Sequence, residues 1–466
     1  MNLQARLLEL KNRLPAGSYL VGGAVRDRLL GVPPKDLDVL VPGDPFVLGR
    51  ALAEGWNGFF VPLDETRRIA RVVLRGGADI DLLPIPPGGI ADSLAERDFT
   101  INAIALSLDD DRILDPFNGQ ADIHSRSIRA VADINLDHDP LRLLRAWRFR
   151  ATLGFSPVPQ LVRAIQIRHN SLWSVAAERI AEEWFLLLAA KNAGRTIQEM
   201  NTADTLLALF PEFRPMRGCV QNEFHHLDVL DHSLAAVDII DELAADPLRV
   251  FPVESADAVA DYLNRPLIGG RARVAYLRFA CLLHDIEKPS TRAADPDGRI
   301  HFYGHERAGA ASARTICEKF KLARVESDLL MTLVGQHMIF GPGIYLPETN
   351  LDRFFYRLFR DFGGDDGLGL LILSLADRMA SLGPAVTPEF NEKHKRFVFD
   401  GIRRYFQEKD RVVPPRILSG DDVMRALNMP PGPAVGAILE RVRELQAEGK
   451  ILSRVDALRI LPSLID

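Results

Sequence analysis

Asp36 and Asp38 stand two residues apart at the end of the stretch LVGGAVRDRLLGVPPKDLDVL, residues 20–40. On an extended strand that spacing puts both carboxylates on one face. Two bare carboxylates side by side repel unless a cation lies between them. Mg2+ suits the place, since it takes one or two carboxylates and keeps positions for substrate phosphates. Upstream, Gly22 and Gly23 separate an apolar run from a helical pattern that carries Arg26 and Asp27. A backbone without Cβ lets N–H groups approach a phosphate closely. Taken singly, a glycine pair is most often a turn and a DxD a solvated strand edge. Their order together carries the chemical reading.

Three further groups have chemistry in them. Asp79 and Asp81, in DIDLLP, offer a third carboxylate on a neighbouring strand. Arg97, Asp98 and Asn102 lie in ERDFTINA, and Asp139, Arg142, Arg145 and Arg148 recur every third residue in HDPLRLLRAWRF, on one face of a helix. Apolar Leu143, Leu144, Trp147 and Phe149 make that helix largely buried, and arginines beside a buried face need partners. The last group is His232, His284-Asp285, His305, His337 and Asp377. Histidine with aspartate suits a transition metal better than Mg2+, and these side chains suffice for two ions.

The first stretch resembles the opening motif of the nucleotidyltransferase family that includes tRNA CCA-adding enzymes and bacterial poly(A) polymerases, LVGGxVRDxLLGxxxxDxD, with every fixed position present. ERDFTINA resembles the second motif, RRDFTINA, with Glu96 in place of the first Arg. HDPLRLLRAWRF resembles EDxxRxLRAxRF, with His138 in place of Glu. SVAAERIAEE resembles the helix that braces the nucleotide site, which gives Glu178 and Arg179 a structural role. Residues 418–451 resemble the tail of the bacterial CCA enzymes. The histidine and aspartate series resembles an HD domain, H…HD…D, whose members hydrolyse phosphomonoesters or phosphodiesters; Glu287 takes the place of Gly in HDxGK. A degenerate HD fold kept as scaffold is the alternative.

The resemblance implies an α/β nucleotidyltransferase head with a polymerase-beta-like mixed sheet, then a large all-α body that includes the HD domain. It implies Asp36, Asp38 and Asp81 as catalytic carboxylates, the first two holding Mg2+. Gly22, Gly23, Arg26, Arg97, Asp98, Asn102, Asp139, Arg142, Arg145 and Arg148 would bind nucleotide. Asp139 and Arg142 would read the base of CTP or ATP, acceptors and donors together imitating a pairing edge, so that tRNA is extended without a template. His232, His284, Asp285, His305, His337 and Asp377 would hold the HD metal. Rival readings are a poly(A) polymerase, a phosphohydrolase with an idle head, and an RNA-binding module. The poly(A) branch carries a basic G[RK][RK]F stretch, absent from RRIARVVLRGGADID. Only sixteen residues separate Asp81 from Asp98. In the family this loop is linked to switching from CTP to ATP, and its shortness resembles members that stop after CC.

These residues need elements to hold them. Tyr19–Val21, Val39–Val41, Val72–Leu74 and Ile80–Leu83 read as strands, and Ala24–Leu30 as a helix ended by Gly31 and Pro33-Pro34. Beyond Arg126 helical periodicity dominates, as in 141–153, 178–191, 229–245 and 435–448. The expected division is 1–125, 126–215, 216–385 and 386–466. The chain has 466 residues, 47% hydrophobic and 26% charged, with a net charge of −6. Bulk charge therefore does not announce nucleic acid, but six arginines and no acid lie between residues 140 and 170, a local basic segment. Three cysteines without CxxC fit a reducing cytoplasm. No apolar run is long enough to span a membrane, and MNLQARLLELKNRLPAGS reads as a polar amphipathic helix.

Overall fold

The computed structural model describes residues 9–75, 79–267 and 269–464. Of the expected N-terminal helix, residues 9–13 are helical, and residues 1–8 lie outside the described residues. Two compact units are present: Met1–Glu183 with Thr202–Leu209, and Trp184–Asn201 with Phe210–Asp466.

The first unit is built on a seven-stranded sheet, order β3-β4-β5-β2-β1-β6-β7. Its strands are β1 (Tyr19–Val21), β2 (Leu37–Val41), β3 (Phe59–Asp64), β4 (Ile69–Val73), β5 (Ile80–Pro84), β6 (Ala105–Ser107) and β7 (Ile113–Leu114). Only β2 and β5 pair in parallel, so the sheet is mixed. In β2 every residue but Asp38 is buried, as a strand covered on both faces requires. The register sets Val21, Asp38, Asp81 and Arg71 side by side in one row across β1, β2, β5 and β4. Helix α1 (Gly23–Leu29) leaves β1, and Gly31, at φ +72°, lies just beyond its end. β4 begins three residues earlier than the apolar run at Val72 predicts, because its pairing with β3 extends it.

Between β5 and β6 lies α2 (Ile90–Ala95), entered through Gly89 at φ +85°. The short proline-rich connection is thus partly helical. Helices α3 (Ile134–His138) and α4 (Leu141–Leu153) follow, and α4 buries Leu143, Leu144, Trp147 and Phe149 as its pattern requires. The strands do not stop at Arg126. Ser127–Ile128 pairs in parallel with Ser156–Pro157, a two-residue contact too short to leave a periodic signal.

The second unit is helical apart from a small hairpin, Ala293–Ala294 with Ile300–His301. Helix α5 (Val229–Ala245) packs on α6 (Arg273–Leu283), with α7 (His305–Lys319), α8 (Arg324–Gln336) and α9 (Gly364–Ala380) around them. All residues of α6 are buried. Its two arginines survive there by pairing, Arg273 with Asp366 at 3.0 Å and Arg278 with Asp241 at 2.6 Å. The C-terminal part has its own small core, Val423, Val435, Ile438, Val442 and Leu461 among others. No helix among the described residues is long and apolar enough to cross a membrane.

Candidate functional sites

In the first unit Asp38 stands directly opposite Asp81 across the parallel pair, and Asp36 lies one residue before β2 begins. The side chain of Asp38 keeps 36% of its surface. The atoms packed around it, with the charges of Asp81 and Asp36, push its carboxyl above the ordinary range, against the pull of Arg97. A cation between these carboxylates would relieve the part of this shift that comes from Asp81 and Asp36. Asp81 is different: Arg71 donates Nε and Nη2 to its two oxygens at 2.7 and 2.8 Å, a bidentate pair.

Gly22 is required by this geometry. Its φ of +73° and ψ of −139° fall where residues with a Cβ are strained. A Cβ there would also sit 2.7 Å from Nη1 of Arg97 and 3.0 Å from Oδ2 of Asp38. Its absence lets Arg97 and Asp38 meet over the backbone, 3.5 Å apart. Gly23 opens α1 beside it.

The remaining motif residues come together, but their polar groups are largely spent on one another. Arg26 is 8% exposed. It donates Nη1 to Asn102 Oδ1 at 2.7 Å, and Nε and Nη2 to Asp27. Asn102 Nδ2 donates to Asp98 Oδ1 at 2.9 Å, and Arg145 donates Nε and Nη2 to Asp98 Oδ2. Burial alone would raise the Asp98 carboxyl; Arg145 and Asn102 outweigh it and hold it below the usual range. Arg148 donates Nε to Glu183 Oε2 at 2.7 Å and lies over the Phe149 ring. Arg145, Arg148 and Arg168 pair with Asp98, Glu183 and Asp137, all outside residues 140–170, because a charge that packs against a core must find a partner.

Arg142 and Asp139 lie at the start of α4. Asp139 accepts from Arg179 Nη2 at 2.8 Å. Arg142 donates to the carbonyls of Asn135, 3.0 Å, and Glu96, 2.8 Å. Asn135 in turn donates its side-chain amide to the carbonyls of Ala95, 2.7 Å, and Arg97, 2.9 Å. Sequence reading missed Asn135, since nothing in the local pattern marks a buried Asn between Ile134 and Leu136.

In the second unit His232, His284, Asp285, His305, His337 and Asp377 converge, drawn from α5, the end of α6, α7, the end of α8, and α9. Nδ1 of His284, His305 and His337 faces the carbonyls of Cys281, Phe302 and Val334 at 2.7–2.8 Å. A proton on each Nδ1 leaves Nε2 as a lone pair turned inward, the arrangement of a metal-ligating imidazole. Nε2 of His305 and Nε2 of His337 then confront each other at 3.2 Å, which is repulsive without a cation or proton between them. His284 Nε2 and both oxygens of Asp285 are buried without a hydrogen bond, although Lys288 Nζ makes an ion pair with Asp285 at 2.7 Å. Burial would lower His284, but with no cation to balance them the charges of Asp285 and Asp377 outweigh it and push it up. The donor set and its unpaired atoms fit a transition metal.

Glu287, which replaces the glycine of HDxGK, turns away from this cluster, its carboxylate accepting from the hydroxyls of Ser290 and Ser312. A cavity of about 550 Å3 opens on the cluster, with Lys288, His301, Tyr303 and Arg378 in its walls. It also contains His225, which the H…HD…D spacing does not reach.

Comparison with known proteins agrees with this layout. Residues 18–83 and 88–129 match the family described as "Poly A polymerase head domain". Residues 154–216 match "Probable RNA and SrmB- binding site of polymerase A", and residues 229–382 match "HD domain". The chain is 37% identical over 443 residues to the A-adding tRNA nucleotidyltransferase of Deinococcus radiodurans, covering 94% of this chain and 93% of that one. It is 33% identical over 449 residues to the CC-adding tRNA nucleotidyltransferase of Geobacter sulfurreducens, covering 96% and 91%. A solved CCA-adding enzyme in complex with CTP shares the fold, with a TM-score of 0.65 at 19% identity, over 99% of this chain and 96% of that one.

Proposed function

Since this chain belongs to the tRNA nucleotidyltransferase family, we propose that its first unit transfers CMP or AMP from CTP or ATP to the 3′ end of tRNA without a template, in the cytoplasm. The observation that carries the reading is the row of Asp38 and Asp81 across β2 and β5, with Asp36 beside it and Arg97 reaching over Gly22. The 3′ hydroxyl attacks the α-phosphorus, the bond to pyrophosphate breaks, and the hydroxyl proton is lost to solvent. Asp36 and Asp38 would hold Mg2+, which neutralises phosphate charge and makes the 3′ hydroxyl a better nucleophile. Asp81 stands ready as a third carboxylate, held by Arg71 until it is needed. Arg97, loosely tied to Asp38, is free to turn to the triphosphate, and Gly22 and Gly23 keep the backbone open beneath it.

Asp139 and Arg142 would present the edge that selects the base. Arg26, Asn102, Asp98, Arg145 and Arg148 would shape the pocket as one connected network and meet the nucleotide at its edges. Within the expected four-part division, residues 126–215 and the tail 386–466 would contact tRNA. The relatives' names favour tRNA over poly(A) as product. The test is to incubate the purified protein with tRNA lacking its 3′ end, labelled nucleoside triphosphates and Mg2+. Extension by C or A supports the reading; no extension, or a long A tail, overturns it.

A second activity is favoured by the buried cluster of the second unit. His232, His284, Asp285, His305, His337 and Asp377 would hold a transition metal for phosphoester hydrolysis, in which water adds to phosphorus and the ester P–O bond breaks to release the alcohol. The buried His284 Nε2 without a hydrogen bond, and the Nε2 atoms of His305 and His337 set face to face, speak against a cluster kept only as scaffold. Release of phosphate from a small phosphoester, lost in His284→Ala, checks it.

A further inference from the structure

We infer that His225 is an additional metal ligand, and that it gives the second unit two cation positions on disjoint sets of side chains. The inference rests on reading the cluster as a metal site. His225 lies outside the residues that match the HD domain, which begin at residue 229. Three groups of potential ligand atoms are present, each with its atoms within 4.8 Å of one another: His225, His232 and Asp377; His232, His284 and Asp285; Asp285, His305 and His337. The first and last share no residue. One ion cannot use all of them, whereas two ions can, with His284 between.

His225 is built into this place. Its Nδ1 faces Asn222 Oδ1 at 3.0 Å, the same outer restraint that the backbone carbonyls supply to His284, His305 and His337. Its ring stands at 86° to that of His232, centroids 4.8 Å apart. The backbone of its loop is pinned: Gly383 N–H donates to the Phe224 carbonyl at 3.0 Å and Ala385 N–H to that of Glu223 at 3.1 Å. A Cβ on Gly383 would meet that loop at 2.4 Å, so the close approach is specified by a glycine. Independently, His232, fully buried, turns Nε2 to Asp377 at 3.0 Å and keeps its Nδ1 without a hydrogen bond, and the buried Asp285 oxygens have the Lys288 ion pair but no hydrogen bond. Two cation positions suit a clamp on a phosphoryl group.

The test counts metal. The full chain carrying Asp36→Ala and Asp38→Ala, so that the first unit contributes no cation, is stripped with chelator, loaded with Mn2+, desalted and assayed for metal per chain. Two Mn2+ per chain are expected, with a spin-coupled signal in electron paramagnetic resonance. Adding His225→Ala should leave one Mn2+ and abolish the coupling. Adding Asn222→Ala, which keeps the imidazole but frees its tautomer, should weaken the second Mn2+ by about 10–100-fold; thermal melting confirms that each variant is folded. One Mn2+ in the parent, or two in the His225 variant, overturns the inference while the metal reading stands. No Mn2+ in the parent overturns both.

Discussion

Arg142 donates a guanidinium hydrogen bond to the backbone carbonyl of Asn135, and Asn135 answers by tying its own amide to the carbonyls of Ala95 and Arg97. A second bond from Arg142 reaches the carbonyl of Glu96. The residue proposed to read the base is thereby locked to the segment proposed to hold the triphosphate. Asn135→Ala removes two of these bonds without touching nucleotide. It should reduce discrimination among CTP, ATP and UTP by about 1–3 kcal/mol, the usual worth of a base-edge contact. The check is kcat/KM for each nucleotide; a uniform fall with unchanged ratios would make Asn135 merely structural.

A base-reading arginine held by backbone carbonyls suits a pocket that presents one edge. The short connection through α2 offers little reach for reshaping it. The expected outcome is that one base type is installed. tRNA lacking all three nucleotides is offered CTP alone, and tRNA ending in CC is offered ATP alone. One of the two should be extended efficiently, the CTP arm if the short loop has the meaning its resemblance implies. Efficient extension in both arms would show a pocket that switches.

Asp38→Asn should lower nucleotide addition by at least about 100-fold while leaving the fold intact. The stability effect has a definite sign. The Asp38 carboxyl is raised in the folded protein, so its contribution to stability is present at low pH and lost as pH rises through the folded value. In metal-free buffer near pH 7–8 the Asn variant should therefore melt no lower than the parent, and the difference should fade in acid. A variant that melts well below the parent at pH 8 would contradict the charge repulsion described at this site.

His394, 6% exposed and 3.0 Å from the Ser374 hydroxyl, is pushed by burial down to about 4 from 6.5. A depressed histidine contributes stability above 6.5 that is lost as pH falls toward 4. His394→Gln should remove about 2–3 kcal/mol of the acid sensitivity across that interval. Denaturant unfolding at pH 7 and pH 4.5 measures it; parallel losses in both proteins would refute the assignment.

Much of this protein was legible from contiguous residues. The two-residue spacing of Asp36 and Asp38, the turn at Gly22-Gly23, and helices such as Leu141–Leu153 and Val229–Ala245 depend on local periodicity and backbone freedom, which a linear string carries in full. So do the metal-prone His and Asp types, whose ligand chemistry is intrinsic. Only the tertiary structure decided that Asp38 faces Asp81 while Arg71 occupies Asp81, that Arg145 and Arg148 of α4 are absorbed by Asp98 and Glu183, and that Glu287 turns away from the cluster. It alone brought Asn135 and His225 into play. These outcomes join residues far apart in the chain. They are set by strand register and by the requirement that buried charges and amides find partners, a requirement that spacing along the chain does not encode.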